Sequence, residues 1–268
     1  MNETTTIGLP ESDQIHHYVV ASDFHTEHLD INTFKIFYKF SKMLPQADRT
    51  LVINGDFLDA GFLMEKDKEY KVDMYMKNFE EYFVPKTDEE FEWGNYMLDE
   101  LQKIFPRIIY TLGNHEKRYD YFVDNSLVPH AYKHNFRIRE RLKLEARGIA
   151  CIDYNDFLDI GKLTITHGIY CGATHLKKHF EACGARNILM GHVHSHEIKA
   201  FAHRDGVKKA ISLPCMAKTK MHYVKNRPMN WSNGFASIAM RSDGNFNLYV
   251  HEIWGDRLVL PTGEVITA

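Results

Sequence analysis

Five groups of side chains able to bind metals or move protons recur along the chain, each directly after a short apolar run. Residues 18–21 lead into Ser22-Asp23-Phe24-His25, and 51–53 into Asn54-Gly55-Asp56-Phe57-Leu58-Asp59. Residues 108–112 lead into Gly113-Asn114-His115-Glu116, 163–166 into His167-Gly168, and 188–190 into Gly191-His192-Val193-His194. Carboxylates, an amide and imidazoles are ligands for divalent cations, and imidazole also exchanges protons near neutral pH. Taken singly, each motif has a plainer reading. Gly-Asp-x-x-Asp fits a turn, Asn114 can cap a helix, and His-x-His occurs on one face of any amphipathic strand. Their joint occurrence, in this order and each after an apolar run, is the specific signal.

The elements that must position these groups follow from the pattern. The runs 18–21, 51–53, 108–112, 149–152, 163–166, 188–190, 210–213, 235–240 and 246–253 read as strands, several buried on both faces. Between them, Asp30 can cap a helix carrying Phe34, Phe37, Tyr38, Ser41 and Leu44 on one stripe. Thr87-Asp88-Glu89-Glu90 fits a capping box that opens a helix through Phe91, Met97, Leu98, Leu101, Ile104 and Phe105. Helices are also expected over 136–147, ending at Gly148, and over 175–183, ending at Gly184. Alternating strands and helices argue an α/β fold, and the strands after residue 205 an antiparallel portion. In open α/β sheets the carboxyl ends of strands face the ligand crevice, so the five motifs are expected to converge.

The series Asp23-x-His25, Gly55-Asp56-x-x-Asp59, Gly113-Asn114-His115-Glu116, His167-Gly168 and Gly191-His192-x-His194 resembles the calcineurin-like metallophosphoesterase superfamily over residues 18–195. The resemblance implies an α/β fold of two packed mixed β-sheets flanked by helices, with two divalent metal ions between the sheet edges. It implies that Asp23, His25 and His194 hold one metal, that Asn114, His167 and His192 hold the other, and that Asp56 bridges both. It also places His115 beside the substrate phosphate, with Glu116 or Asp59 available to orient it. A pair of ions of this kind activates a water and clamps both ends of a displacement at phosphorus, so the reaction implied is attack by a metal-bridging hydroxide. Mixed imidazole and oxygen ligands suit Mn²⁺, the ion expected, or Fe, Zn²⁺ or Ni²⁺, better than Mg²⁺. Ala60 stands where the Ser/Thr protein phosphatases carry an arginine, and those enzymes lack the Gly-His-x-His ending, so that branch does not fit. The ending is similar to nucleases and phosphodiesterases, although these usually read Gly-Asn-His-Asp where this chain has Glu116. Gly-Asn-His-Glu-x-Arg is also similar to small phosphoesterases of bacteriophage genomes.

The rest of the chain narrows the setting. Its 268 residues, 44% hydrophobic and 26% charged, with net charge −3, describe an ordinary globular chain rather than a disordered or fibrous one. No repeat or linker divides it, so a single metallophosphoesterase domain over 1–268 is expected, with a helical insertion or cap at 57–105 and a basic loop region at 206–242. Apolar stretches of four or five residues fall far short of the roughly 20 needed to span a bilayer. The four cysteines show no C-x-x-C spacing. With no signal-like leader, a cytoplasmic protein without membrane association is the expectation. Between Asp205 and Asp243 there is no acidic residue but seven Lys and Arg, with Tyr223 and Trp231 interleaved. Lys218, Lys220, Lys225 and Arg227 are therefore expected to line a channel for a polyanion, with a solvated loop as the alternative, and Arg118 to contact phosphate. His28 is a further residue that could face the cleft. The aromatic-rich stretch 57–96 reads as core residues at helical spacing, a cap over the site, or a dimer surface. The reading as a whole is a metal-dependent phosphoesterase acting on a phosphodiester of nucleotide or nucleic-acid type. A phosphomonoesterase and a non-catalytic binding module on the same fold are the alternatives.

Overall fold

The computed structural model describes residues 3–9, 14–63, 79–124, 128, 130–221 and 228–268. Two mixed six-stranded sheets face one another. The first contains β1 (Thr4–Ile7), β6 (Phe157–Ile160), β7 (Leu163–Thr166), β8 (Asn187–Met190), β9 (Glu197–Phe201) and β10 (Lys208–Ser212), in the order β1-β6-β7-β8-β10-β9. The second contains β2 (His16–Ala21), β3 (Arg49–Asn54), β4 (Arg107–Thr111), β5 (Ala150–Ile152), β11 (Asn233–Met240) and β12 (Phe246–Ile253), in the order β12-β11-β2-β3-β4-β5. The pair β13 (Arg257–Val259) and β14 (Val265–Thr267) forms a separate hairpin. The α/β sandwich of two mixed sheets with flanking helices is thus the fold expected from the sequence.

Strand alternation explains the layers. Tyr18, Val20 and Val52 point inward to meet Leu158, Ile165 and Leu189 of the opposite sheet. Val19, Ala21, Leu51 and Ile53 point outward beneath helices α1 (Ile31–Met43) and α2 (Val84–Gln102). Every residue of β3 is buried, as a central strand covered on both faces requires. Helices α3 (Glu116–Asp124) and α4 (Ile138–Arg141) lie on the same side, while α5 (His175–Ala182) covers the other sheet through Leu176 and Phe180. Asp30 caps α1, its Oδ1 accepting from Thr33 N at 2.8 Å.

Several expectations change. Thr87–Glu90 does not open a helix. Thr87 and Glu90 are buried inside α2, which begins at Val84 with Pro85 in its first turn and continues a π-helical turn over Phe79–Phe83. Glu90 is drawn away from capping because its carboxylate is an acceptor for a neighbouring loop. The expected helix 136–147 is helical only over α4, since Lys143 turns to φ 53°. The basic stretch 206–242 is not one loop, because β10 and β11 occupy most of its two ends, and β10 pairs parallel with β8. Strands β1, β6 and β9 lack a clear apolar run and escape the pattern. No helix among the described residues is long and apolar enough to cross a membrane.

Candidate metal centre

Strands β2, β3 and β4 run parallel in one sheet, and β7 and β8 run parallel in the other, so their carboxyl ends meet at one end of the sandwich. There the loops after β2 and β3 continue as a pair. Asp23 N donates to Gly55 O at 3.0 Å and His25 N to Asp56 O at 2.9 Å. Asp23, His25, Asp56, His192 and His194 all adopt left-handed backbone, with φ between 48° and 71°. Such strain in non-glycine residues concentrates at functional sites, held by the surrounding structure. Gly113 serves close approach instead: a Cβ there would collide with the Asp56 carboxylate.

The side chains sort into three groups among the described residues, each with ligand atoms within 4.8 Å of one another: Asp23, His25 and His194; His25, Asp56 and His115; and Asp56, His167 and His192. His194 Nε2 lies 3.2 Å from both Asp23 Oδ1 and His25 Nε2. His167 Nε2 lies 3.3 Å from Asp56 Oδ2 and 3.1 Å from Asn114 Oδ1. Asp56 Oδ2 also faces His25 Nε2 at 3.9 Å and His115 Nε2 at 3.8 Å, which makes it the shared member. All seven residues expected to bind metal therefore sit in one cluster.

The donor set fits divalent cations. His25 and His194 direct two Nε2 atoms at each other, and Asp23 Oδ1 is buried without a hydrogen bond. A buried polar atom left in that state is costly unless a cation takes it up. Two of these histidines have the far ring nitrogen tied, as metal-binding histidines commonly do: His167 Nδ1 donates to Asn54 O at 2.8 Å, and His25 Nδ1 bonds Asp59 Oδ1 at 2.9 Å. Burial alone would raise the Asp23 carboxyl, but the facing His194 imidazole holds it below the usual carboxylate range. Burial would likewise lower His167, yet the Asp56 carboxylate raises it to about 9. The protein thus balances its clustered carboxylates with imidazolium charge, which cations would replace.

The remaining site residues have distinct places. His115 Nδ1 bonds Asp59 O at 2.5 Å, and the Asp59 carboxylate stands 3.3 Å from the same nitrogen. Of the two residues available to orient His115, Asp59 is in contact with it. Glu116 is fully buried and accepts from Asp56 N, Leu58 N, Gly113 N and Tyr110 Oη, so it fastens the loops after β3 and β4 together. Arg118 reaches the cluster, Nη2 lying 2.8 Å from His115 Nε2 and Nη1 donating to Asp59 O at 2.8 Å. His28 is at the edge, 3.9 Å from Asp59 Oδ2. Lys218 and Lys220 are exposed, and Lys218 N donates to His28 O at 2.8 Å. Lys225 and Arg227 lie outside the described residues.

Sequence reasoning missed Glu90. Its carboxylate accepts from Thr26 Oγ1, Asp59 N, Ala60 N and Tyr119 Oη, and so holds the loop that carries Asp59 against α2. The only available signal was a carboxylate on the apolar side of a helix. A cleft of about 700 Å³ between β12 and the β9–β10 pair contains none of the clustered residues.

An α/β sandwich that gathers carboxylates, an amide and imidazoles at the ends of five parallel-running strands defines the metallophosphoesterase class. The chain belongs to the calcineurin-like phosphoesterase family, whose pattern matches residues 16–196. Among solved structures it is similar to Vps29 from Chaetomium thermophilum, at 10% identity over 94% of this chain and 96% of that one, with TM-score 0.44. It is also similar to Vps29 from Cryptosporidium parvum, at 12% identity over 90% and 99% with TM-score 0.42. A Zn²⁺ complex of wild-type Vps29 from Entamoeba histolytica matches at 12% identity over 94% and 97%, with TM-score 0.41. No curated protein sequence matches the chain.

Proposed function

We propose that the chain is a single-domain, two-metal phosphoesterase that hydrolyses a phosphodiester of nucleotide or nucleic-acid type. The observation that carries the catalytic reading is that all seven candidate ligands converge, with Asp56 Oδ2 facing His25 Nε2 of one set at 3.9 Å and His167 Nε2 of the other at 3.3 Å. Asp23, His25 and His194 would hold the first ion, Asn114, His167 and His192 the second, and Mn²⁺ suits this mixed donor set. Bound divalent cations supply Lewis-acid polarisation of the phosphoryl oxygens and acidify a water at neutral pH.

The chain's own groups do the rest. Arg118 donates to His115 Nε2 in the resting site. A phosphoryl oxygen is a stronger acceptor for that guanidinium, so substrate draws Arg118 onto itself and frees Nε2 to take up a proton from solvent and pass it to the leaving oxygen. The Asp59 backbone oxygen and carboxylate keep the ring aimed through Nδ1.

Two pockets support the diester preference. One of about 260 Å³ includes Asp59, and one of about 430 Å³ includes His192 and Trp231; they share no residue. A diester has two substituents to place beside its phosphorus, a monoester one. Lys218, whose backbone N donates to His28 O, and the nearby exposed Lys220 would attract further phosphates.

The test is hydrolysis of bis-p-nitrophenyl phosphate against p-nitrophenyl phosphate by the Mn²⁺-loaded protein, with His115→Ala as control. Faster turnover of the diester, lost in the variant by roughly 10²–10⁴-fold, is expected. Preference for the monoester would overturn the diester assignment, and no turnover despite bound metal would overturn the enzymatic one.

A further inference from the structure

The rings of the aromatic-rich stretch 57–96 divide into two sets among its described residues, 64–78 lying outside them. Phe57, Phe83 and Phe91 are buried in the core, whereas Phe62, Tyr82 and Trp93 are only half-buried and wall the pocket of about 260 Å³ beside Asp59. Phe62 stands on the turn Gly61–Leu63, Tyr82 on the π-helical turn, and Trp93 on α2. Each is held from behind by a buried ring: Phe62 by Tyr119 at 6.3 Å, Tyr82 by Phe83 at 5.2 Å and Trp93 by Phe57 at 5.4 Å between centroids. The walls are therefore fixed before anything binds, which lowers the cost of binding a flat ring.

The pocket lies against the reacting centre. Asp59, at its edge, touches His25 at 2.9 Å and His115 at 3.3 Å. Its charged residues are Glu27, Glu89, Glu90 and Asp59 against Lys86 alone, and Lys86 is paired with Glu89. An acidic, aromatic enclosure rejects a second phosphate and accepts an uncharged ring whose N–H donors can face carboxylates. Nucleobases combine both properties.

We infer that Phe62, Tyr82 and Trp93 form a base-binding subsite that seats the nucleobase of the substrate next to the metal cluster. The inference rests on the phosphoesterase reading for its phosphate anchor and adds to it the residues that hold the base.

Equilibrium binding tests it without turnover. The probes are non-hydrolysable phosphonate analogues of adenosine 5′-monophosphate and of ribose 5-phosphate, titrated calorimetrically into the Mn²⁺-loaded protein. The base is expected to strengthen binding roughly tenfold or more, the scale of stacking on aromatic side chains. Phe62→Ala and Tyr82→Ala should each remove most of that gain while leaving the ribose analogue within about twofold. The adenosine analogue should quench tryptophan emission, and Trp93→Phe should abolish the quench. Equal affinities for the two analogues in the unaltered protein, or variants that weaken both alike, would overturn the subsite. A base effect in a protein that hydrolyses no ester would leave the subsite standing and remove the esterase reading; turnover without a base effect would do the reverse.

Discussion

Buried histidines occur in this molecule in two opposite settings. At the strand ends His25, His167 and His194 crowd against Asp23, Asp56 and Asp59. On β12, His251 is buried between Phe40 and Phe235, with ring centroids 4.5 and 5.1 Å away, and no carboxylate among the described residues pairs with it. The physical result is opposite in sign. Desolvation lowers both His251 and His167, but Asp56 reverses it for His167, which ends at about 9, while His251 is pushed down to about 4. Sixteen histidines therefore do not locate a site by their number. The carboxylates beside some of them do.

The sharpest way to break this contrast is to remove the carboxylate shared by the cluster. Asp56→Asn keeps the shape but takes a ligand from both metal groups at once. Hydrolysis of bis-p-nitrophenyl phosphate is expected to fall by at least about 10³-fold, and bound Mn²⁺, read by elemental analysis, to fall with it. A variant that kept its metal and more than a tenth of its activity would show that Asp56 is a bystander.

Much of this was legible in the residues, for reasons that differ by region. Buried central strands such as β3 announce themselves by an unbroken apolar run, here Leu51-Val52-Ile53, and the motif after each is visible because function demands polar residues where an apolar run stops. The edge strands β1 and β9 gave no such signal, unlike the edge strands β5 and β12 of the other sheet. Thr4–Ile7 is polar and exposed along most of its length, and Glu197–Phe201 likewise, because only one face or neither is covered. Glu90 was misread for a related reason. Three residues after Thr87 it satisfies a capping box, and nothing local shows that its acceptors are taken by Thr26, Asp59 and Ala60, which are remote in sequence. Polar groups whose partners come from tertiary packing are the part that spacing does not reveal.

The aromatic setting of His251 makes a prediction of middle size. Its folded pKa of about 4 lies below the ordinary 6.5, so the unfolded chain binds a proton that the folded chain refuses. Stability from this source is complete above pH 6.5 and is lost as pH falls toward 4, on the order of 3 kcal/mol across the window. Urea unfolding near pH 7 and near pH 5 should show the unaltered protein losing about 2 kcal/mol more than His251→Leu over that interval. Equal losses would mean that the imidazole is not held neutral by its surroundings.

The smallest expected effect asks what holds it neutral. His251 has a polar contact to Ser237 Oγ, 2.7 Å from its Nε2, and that hydroxyl could in principle share in setting its charge state. Burial is the only cause that lowers this histidine, however, and a hydroxyl can serve either form of the ring, as acceptor or as donor. Ser237→Ala should therefore cost about 1 kcal/mol for the lost hydrogen bond while leaving the NMR titration midpoint of His251 near 4. A midpoint that moved up by a unit or more would transfer the effect from the phenyl rings to the hydroxyl. The two settings of histidine would then differ in which polar partner each has, rather than in whether it has a charged one.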